Sequence, residues 1–205
     1  LVAIEEGALG PDKDCGYEGP FLKAITGRPI SMEGRTAACA HLSPLGNIAG
    51  ACCDLWSNES VTNIKLLAGM APTVYMEQLI YDTRLFNQSA RLGYRDAFRQ
   101  VMVASDVQWD PQALILDPAN VIEISRSIVS GRNYVEAAVL GSLKGLEIIE
   151  RHVKEGSLFL EERELVWIDM LRDEIGSIPA EESALVAEVE PTLDPGKVLL
   201  HEYGL

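Results

Sequence analysis

The sequence of 205 residues lacks the features of a membrane-spanning, secreted or disulfide-stabilised protein. No run reaches the roughly 18 to 20 consecutive apolar residues that a spanning helix needs, and no basic segment followed by an apolar one indicates a secretory signal. Four cysteines in a chain of this length do not form a disulfide framework. We therefore expect a protein of the reducing cytoplasm. The chain begins at Leu1 without an initiator Met, which leads us to expect polypeptide upstream.

Positive charge and aromatic side chains are both scarce. The chain has 17 Lys and Arg residues against 31 Asp and Glu residues, a formal net charge of −14. Phosphate backbones would repel such a chain, so nucleic acid is not an expected partner. Aromatic residues make up 6% of the chain, whereas 47% of it is hydrophobic, which is enough for one sizeable core.

The first third of the chain alternates between strand and helix patterns. Residues 1–6 and 29–34 have the pattern of short strands, residues 17–26 that of a helix ended by Gly27, and residues 36–56 that of helical pieces. This alternation is typical of parallel βα units. Two strands cannot form an independent parallel sheet, and a (β/α)₈ barrel typically needs about 250 residues.

The rest of the chain is predicted to be helical. The clearest helix covers residues 133–155, where one apolar stripe recurs by three, four or seven residues. The stripe consists of Val135, Val139, Leu146, Ile149 and Val153, and Gly131 and Gly156 bracket it. Further helices are expected over residues 73–93, 160–176 and 179–192. The predicted fold is therefore α/β: residues 1–72 form the C-terminal βα units of a TIM (β/α)₈ barrel, and residues 73–205 form a mainly helical extension.

Cys15 lies in the stretch GPDKDCGYEG, where a loop should follow the first strand. In a barrel such a loop lies at the catalytic face. A thiolate there can be a nucleophile, a redox thiol or a metal ligand, but no His for a catalytic base and no C-x-x-C partner lies in the loop. The residues alone leave a metal ligand and a plain loop cysteine open.

Several uncommon strings carry a resemblance to a known family. GPDKDCGYEG, KAITGRPISMEGRTAACAH and CCDLWSNESV follow one another, and together they resemble the zinc-containing methanol:corrinoid methyltransferases of methylotrophic anaerobes. The resemblance is strongest over residues 1–62 and continues to the terminal EYGL. It implies a TIM barrel with an added helical layer, matched here by the C-terminal portion of a longer family.

The resemblance also implies the cofactors and partners. In that family two cysteines and one glutamate hold a zinc ion, and Cys15 matches the last of these ligands, whereas the others lie upstream of this sequence. Zinc binds the oxygen of methanol as a Lewis acid, and the methyl group passes to a cob(I)alamin-type corrinoid on a separate protein. This places the protein in the one-carbon metabolism of methanogens or acetogens, and we expect it to be a homo-oligomer. The chain alone is expected to be inactive, because the upstream zinc ligands are absent from it.

Other residues have competing interpretations. Glu33 ends the second predicted strand, and it is either a group beside the bound alcohol, acting as acid or base, or a structural partner of Arg35. The Cys39-Ala-His41 and Cys52-Cys53 strings suggest a self-contained zinc site, although their spacing does not match the usual paired ligands. His152 is expected to have a helix-end role. The alternative function is a non-catalytic interaction module that binds a corrinoid protein or a second subunit.

Overall fold

The computed structural model describes residues 18–28, 48, 50–52, 55, 72–194 and 196–204, and this part of the chain is mostly helical. The eight α-helices of these residues are numbered in chain order. They are α1 (Gly19–Thr26), α2 (Pro72–Arg91), α3 (Arg95–Ala104), α4 (Pro111–Ile115), α5 (Pro118–Val129), α6 (Tyr134–Lys154), α7 (Glu162–Gly176) and α8 (Glu182–Val189). Short 3₁₀ turns follow at Glu190–Thr192 and Leu200–Tyr203.

Helix α1 confirms the prediction of a helix ended by Gly27. Gly27 has a φ of 62°, in the left-handed region that favours glycine, and its N–H donates to the carbonyl of Lys23 at 2.9 Å. The helix packs on α5, and Phe21 lies against the main apolar cluster. This predicted βα helix is therefore attached to the helical extension.

The core lies where α5 and α6 pack against each other. Its buried cluster consists of Leu114, Ile124, Ile148 and Leu158. The two helices approach closely at Gly141, because a Cβ atom placed there would lie 2.7 Å from Cγ1 of Ile128. Ser127 Oγ also donates to the carbonyl of Leu140 at 3.3 Å, so a hydroxyl bridges the same interface.

Helix α6 confirms the predicted helix, and its bounds lie within one residue of the expected ones. The buried set is wider than the predicted stripe, because Ile148 is 0% exposed while the predicted Ile149 is only partly buried. Helices α5 and α7 both pack on α6, so more than one side of it is covered. The apolar periodicity predicted one buried side of α6 but did not predict the side that carries Ile148.

Ion pairs join the three helices at the edges of the core. The guanidinium of Arg151 on α6 donates to both carboxylate oxygens of Glu123 on α5, at 3.4 and 3.2 Å. Arg172 on α7 donates to Glu150 on α6 at 2.9 Å. The pKa of Glu123 is lowered, chiefly by the hydrogen bond from Arg151. These pairs link α5 and α7 to α6 at the rim of the buried cluster.

The N-terminus of α6 is held by Ala180 and by Glu182, the first residue of α8. Asn133 Oδ1 accepts from the N–H of Glu136 at 2.7 Å, and this is a standard N-cap. Asn133 Nδ2 donates to the carbonyl of Ala180 at 3.0 Å, and the N–H of Tyr134 donates to Glu182 Oε1 at 3.1 Å. Groups 47 and 48 residues apart in the chain therefore complete one helix end.

Helices α2 and α3 form a second, more exposed pair. Gly93, with a φ of 77°, makes the turn between them, and Phe86 meets Phe98 edge to face with ring centroids 5.7 Å apart. Leu85 and Val101 are exposed. The helices predicted after residue 72 are thus present, as are those ending at Gly176 and preceding Pro191.

The predicted strands over residues 1–6 and 29–34 lie outside the described residues, and so does the loop between the first strand and α1. None of the helices in the described ranges is both long enough and apolar enough to cross a membrane.

Candidate functional site

The residues predicted to carry chemistry fall mainly outside the described part of the chain. Cys15 and Glu33 lie there, as do Cys39, His41 and Cys53. Cys15 precedes the first residue of α1 by four positions, so the described helix begins where the predicted catalytic loop ends. Within the described ranges, no group of three or more His, Cys, Asp or Glu side chains could hold a metal ion.

Cys52 is the described cysteine, and its surroundings do not suit a metal ligand. It is partly buried and follows two other residues with helical backbone. Burial raises the pKa of its thiol to about 12, so the thiol stays protonated at neutral pH. Cys39, His41 and Cys53, the other members of the self-contained Cys/His site, lie outside the described residues, so that alternative stays a prediction.

His152 has the helix-end position that its sequence context predicts. It lies in the last turn of α6, and its Nδ1 is 2.8 Å from the Ser157 hydroxyl. The main-chain N–H groups of Ser157 and Leu158 donate to the carbonyl of His152 at 2.9 and 3.1 Å. The residue therefore closes the end of the helix and shapes the turn after it.

An open groove runs along the outer side of α2. It has a volume of about 400 Å³, with Leu79 and Ile80 at one end and Arg84 and Arg91 towards the other. Its described lining residues include two guanidinium groups but no carboxylate, histidine or cysteine that could act as a general base or bind a metal. On another side of the helix, buried Asp82 accepts a hydrogen bond from Gln78 at 3.0 Å.

Two exposed aromatic rings that the sequence did not predict to meet, Trp109 and Phe159, lie in contact, and we call them the aromatic patch. Their centroids are 5.2 Å apart with an interplanar angle of 38°. The N–H of Phe159 donates to the carbonyl of Gln108 at 2.9 Å, which fixes the two segments side by side. The residues are 50 positions apart, so no local spacing could reveal the pair. Trp109 lies between two polar residues, Gln108 and Asp110, whereas Phe159 lies between two leucines, so only the tryptophan had a local signal of exposure.

Comparison with known proteins identifies relatives of the whole chain. Residues 1–202 match the family described as "MtaB: Methanol-cobalamin methyltransferase B subunit". The chain is 42% identical over 151 residues to the methanol–corrinoid protein co-methyltransferase of Methanosarcina barkeri, a match that covers 73% of this chain and 33% of that protein. The crystal structure of the methanol:cobalamin methyltransferase complex MtaBC from Methanosarcina barkeri is similar with a TM-score of 0.71 and 34% identity, over 95% of this chain and 44% of that one. The chain thus spans less than half the length of these relatives.

Proposed function

Because the chain belongs to the family of methanol-cobalamin methyltransferase B subunits, we propose that it is the C-terminal portion of an enzyme that transfers the methyl group of methanol to a corrinoid protein. The observation that carries the proposal is the match over nearly the whole chain, in both sequence and fold. The chain covers only a third of the length of the curated relative, so the activity proposed is that of the full-length protein.

We propose that residues 1–72 contribute the last βα units of a TIM barrel and that residues 73–205 form its helical extension. Two features support this division. Helix α1 begins directly after the segment predicted as a βα loop, as a barrel unit requires. From Pro72 onwards the described chain forms one helix after another.

We propose Cys15 as a zinc ligand and Glu33 as a nearby carboxylate, either an acid/base group or an outer partner of the site. The support for Cys15 is the resemblance of its KDCG string to the family motif, together with its position before α1. A zinc ion would supply a Lewis acid for the oxygen of methanol, which is a very poor leaving group. Lys13, two residues away, would favour the thiolate form of Cys15.

The partner proposed for the reaction is a corrinoid protein. In the overall step the C–O bond of methanol breaks, the methyl group passes to the reduced cobalt, and the oxygen leaves with a proton as water. The protein residues bind and orient the alcohol, while the corrinoid supplies the electron pair. We also propose that the enzyme is a cytoplasmic homo-oligomer.

The test uses the full-length enzyme with its corrinoid protein and methanol. Bound zinc is measured by mass spectrometry, and methyl transfer is followed by the loss of the reduced-cobalt absorbance. Cys15→Ser should lose zinc and reduce transfer by more than about 100-fold, since even outer partners of metal ligands are worth about 10–100-fold. Cys52→Ser is the matched control and should retain both, because the proposed zinc site does not include Cys52. Loss of zinc in Cys52→Ser but not in Cys15→Ser would instead identify the self-contained Cys/His site.

Two outcomes would contradict parts of the proposal. Zinc retained by Cys15→Ser would remove Cys15 from the site. Tight binding of the corrinoid protein by the unaltered enzyme, without any methyl transfer, would favour a non-catalytic interaction module instead. Glu33→Gln separates the two roles of that residue: an acid/base role predicts retained zinc with slower transfer, and a structural role predicts no change in transfer.

A further inference from the structure

The aromatic patch is held outward by its immediate neighbours. Leu158 is 2% exposed, and Val107 and Leu160 pack against the same buried cluster. Residues within two positions of each ring are therefore anchored in the core, which fixes the backbone that carries Trp109 and Phe159. Trp109 is nevertheless 64% exposed and Phe159 55% exposed. A large apolar surface is thus presented to solvent on a rigid support.

Such a surface is typical of a protein interface. Trp and Tyr are enriched among the residues that contribute most to binding, and these residues sit in preorganised, well-supported positions. Scattered exposed apolar residues need no explanation, but a contacting pair of rings contributed by two distant segments forms a continuous patch. The hydrogen bond from Phe159 to Gln108 keeps the rings together.

The charges around the patch indicate the kind of partner. Residues 105–110 contribute two carboxylates and residues 155–162 contribute three, with no lysine or arginine in either segment. Two basic residues flank the second segment, Lys154 and Arg163. They pair with Glu150 at 2.9 Å and with Glu161 at 2.7 Å, so the two segments keep their negative charge. Carboxylates attract cations, and the face of an indole ring binds guanidinium and ammonium groups.

From this combination we propose that the aromatic patch docks a protein surface that presents arginine or lysine side chains. One cationic side chain lies over the face of Trp109, and the surrounding carboxylates, including Glu155 and Glu162, pair with further cations. This interaction is independent of the proposed methyl transfer, because it uses none of the residues assigned to that chemistry.

The first experiment measures binding of an acetylated tetra-arginine peptide to the full-length enzyme by titration calorimetry, with a neutral tetra-citrulline peptide as the probe control. We expect saturable binding of the arginine peptide alone. Trp109→Ala and Phe159→Ala should weaken it by about two- to fivefold, the range expected for one exposed cation–ring contact. Trp167→Ala is the matched control, because Trp167 is also exposed and lies in an acidic helix, and it should leave the affinity unchanged.

A second pair of variants tests the charges without changing the rings. Glu155→Gln with Glu162→Gln should weaken binding, whereas Glu188→Gln with Glu190→Gln, which removes as much charge from an exposed region elsewhere, should not. Thermal unfolding of each variant shows whether it folds. If the two Glu→Gln pairs have the same affinity, or if Trp109→Ala and Trp167→Ala do, binding reflects general attraction to a chain of net charge −14. Either result overturns the proposal.

Two other occupants of the patch would also overturn the proposal. Concentration-dependent self-association of the chain, lost in Trp109→Ala, would identify a second copy. Protection of Trp109 from hydroxyl-radical labelling in the full-length enzyme would show that the rest of the polypeptide covers the patch. Labelling of Trp109 in the full-length enzyme that falls only when the arginine peptide is added would support it.

Discussion

The α5–α6 pair and the α2–α3 pair are built alike and packed very differently. In each, two helices are joined by a short turn next to a glycine, Gly131 in the first pair and Gly93 in the second. The first pair encloses Ile148 and approaches closely at Gly141. The second meets through one edge-to-face ring contact, and no residue of α3 is buried. Helix formation and burial are therefore separate properties, and only the second identifies the core.

The sharpest test of this difference compares two variants. One truncates a buried β-branched side chain and the other truncates an exposed one. Ile148→Ala should lower the free energy of unfolding by about 2–5 kcal/mol, because it leaves a cavity at a site that is 0% exposed. Val101→Ala on α3, where the residue is 68% exposed, should change it by less than about 0.5 kcal/mol. Urea unfolding followed by circular dichroism measures both. Similar losses in the two variants would show that α3 is packed as tightly as α6.

The close approach of α5 and α6 can be tested with two glycines of one helix. Gly141→Ala should destabilise the protein by about 1–3 kcal/mol, because the new Cβ would lie 2.7 Å from Cγ1 of Ile128. Gly145→Ala is the matched control, since nothing lies within 4 Å of its Cβ position, and it should stabilise the helix by about 0.5–1 kcal/mol.

A double variant sharpens the same test. In Gly141→Ala with Ile128→Ala the clashing atom is gone, so the two changes should be coupled by at least about 0.5 kcal/mol in the free energy of unfolding. Strictly additive effects would contradict a direct contact between these positions.

The smallest expected effect concerns the acid stability of the α5–α6 pair. The hydrogen bond from Arg151 holds the pKa of Glu123 below its usual value of 4.5. A carboxylate with a lowered folded-state pKa stabilises the fold above the unfolded pKa, and this contribution is lost as the pH falls through the folded pKa. Glu123→Gln should therefore flatten the decline of stability below about pH 4.5.

The measurement for Glu123 is the urea midpoint as a function of pH from 7 to 3. Glu174→Gln on α7 is the control, because the described residues give Glu174 no ion pair, and its curve should follow that of the unaltered chain. Identical curves for Glu123→Gln and the unaltered chain would mean that the pair with Arg151 contributes nothing to the stability of the fold.

Local sequence signals predicted individual helices well. The end of α1 follows from Gly27, and α6 follows from an apolar stripe between two glycines. These features depend on residues within a few positions of each other. The burial of Ile148 was missed, because it depends on how α5 and α7 are placed around α6.

The residues of the candidate site could be predicted less well from short sequence patterns than the helices could. Cys15 could be placed in a loop before a helix, but only the resemblance to a family assigned it a metal, because the other ligands come from distant parts of a fold. The aromatic patch was missed for the same reason, since Trp109 and Phe159 belong to separate segments. The exclusion of Cys52 from the zinc site likewise stays a prediction, because Cys39, His41 and Cys53 lie outside the described residues.

The attachment of Ala180 and Glu182 to the first turn of α6 has a consequence for the order of folding. Contacts between groups 47 and 48 residues apart close a long loop, which lowers the conformational entropy of the chain. The hydrogen bonds offset this loss only when both ends of the loop already have their native structure. The turn of α6 at Asn133 must exist before the later segment can bind to it. We therefore expect α8 to dock on α6 last during folding, after the α5–α6 core has formed.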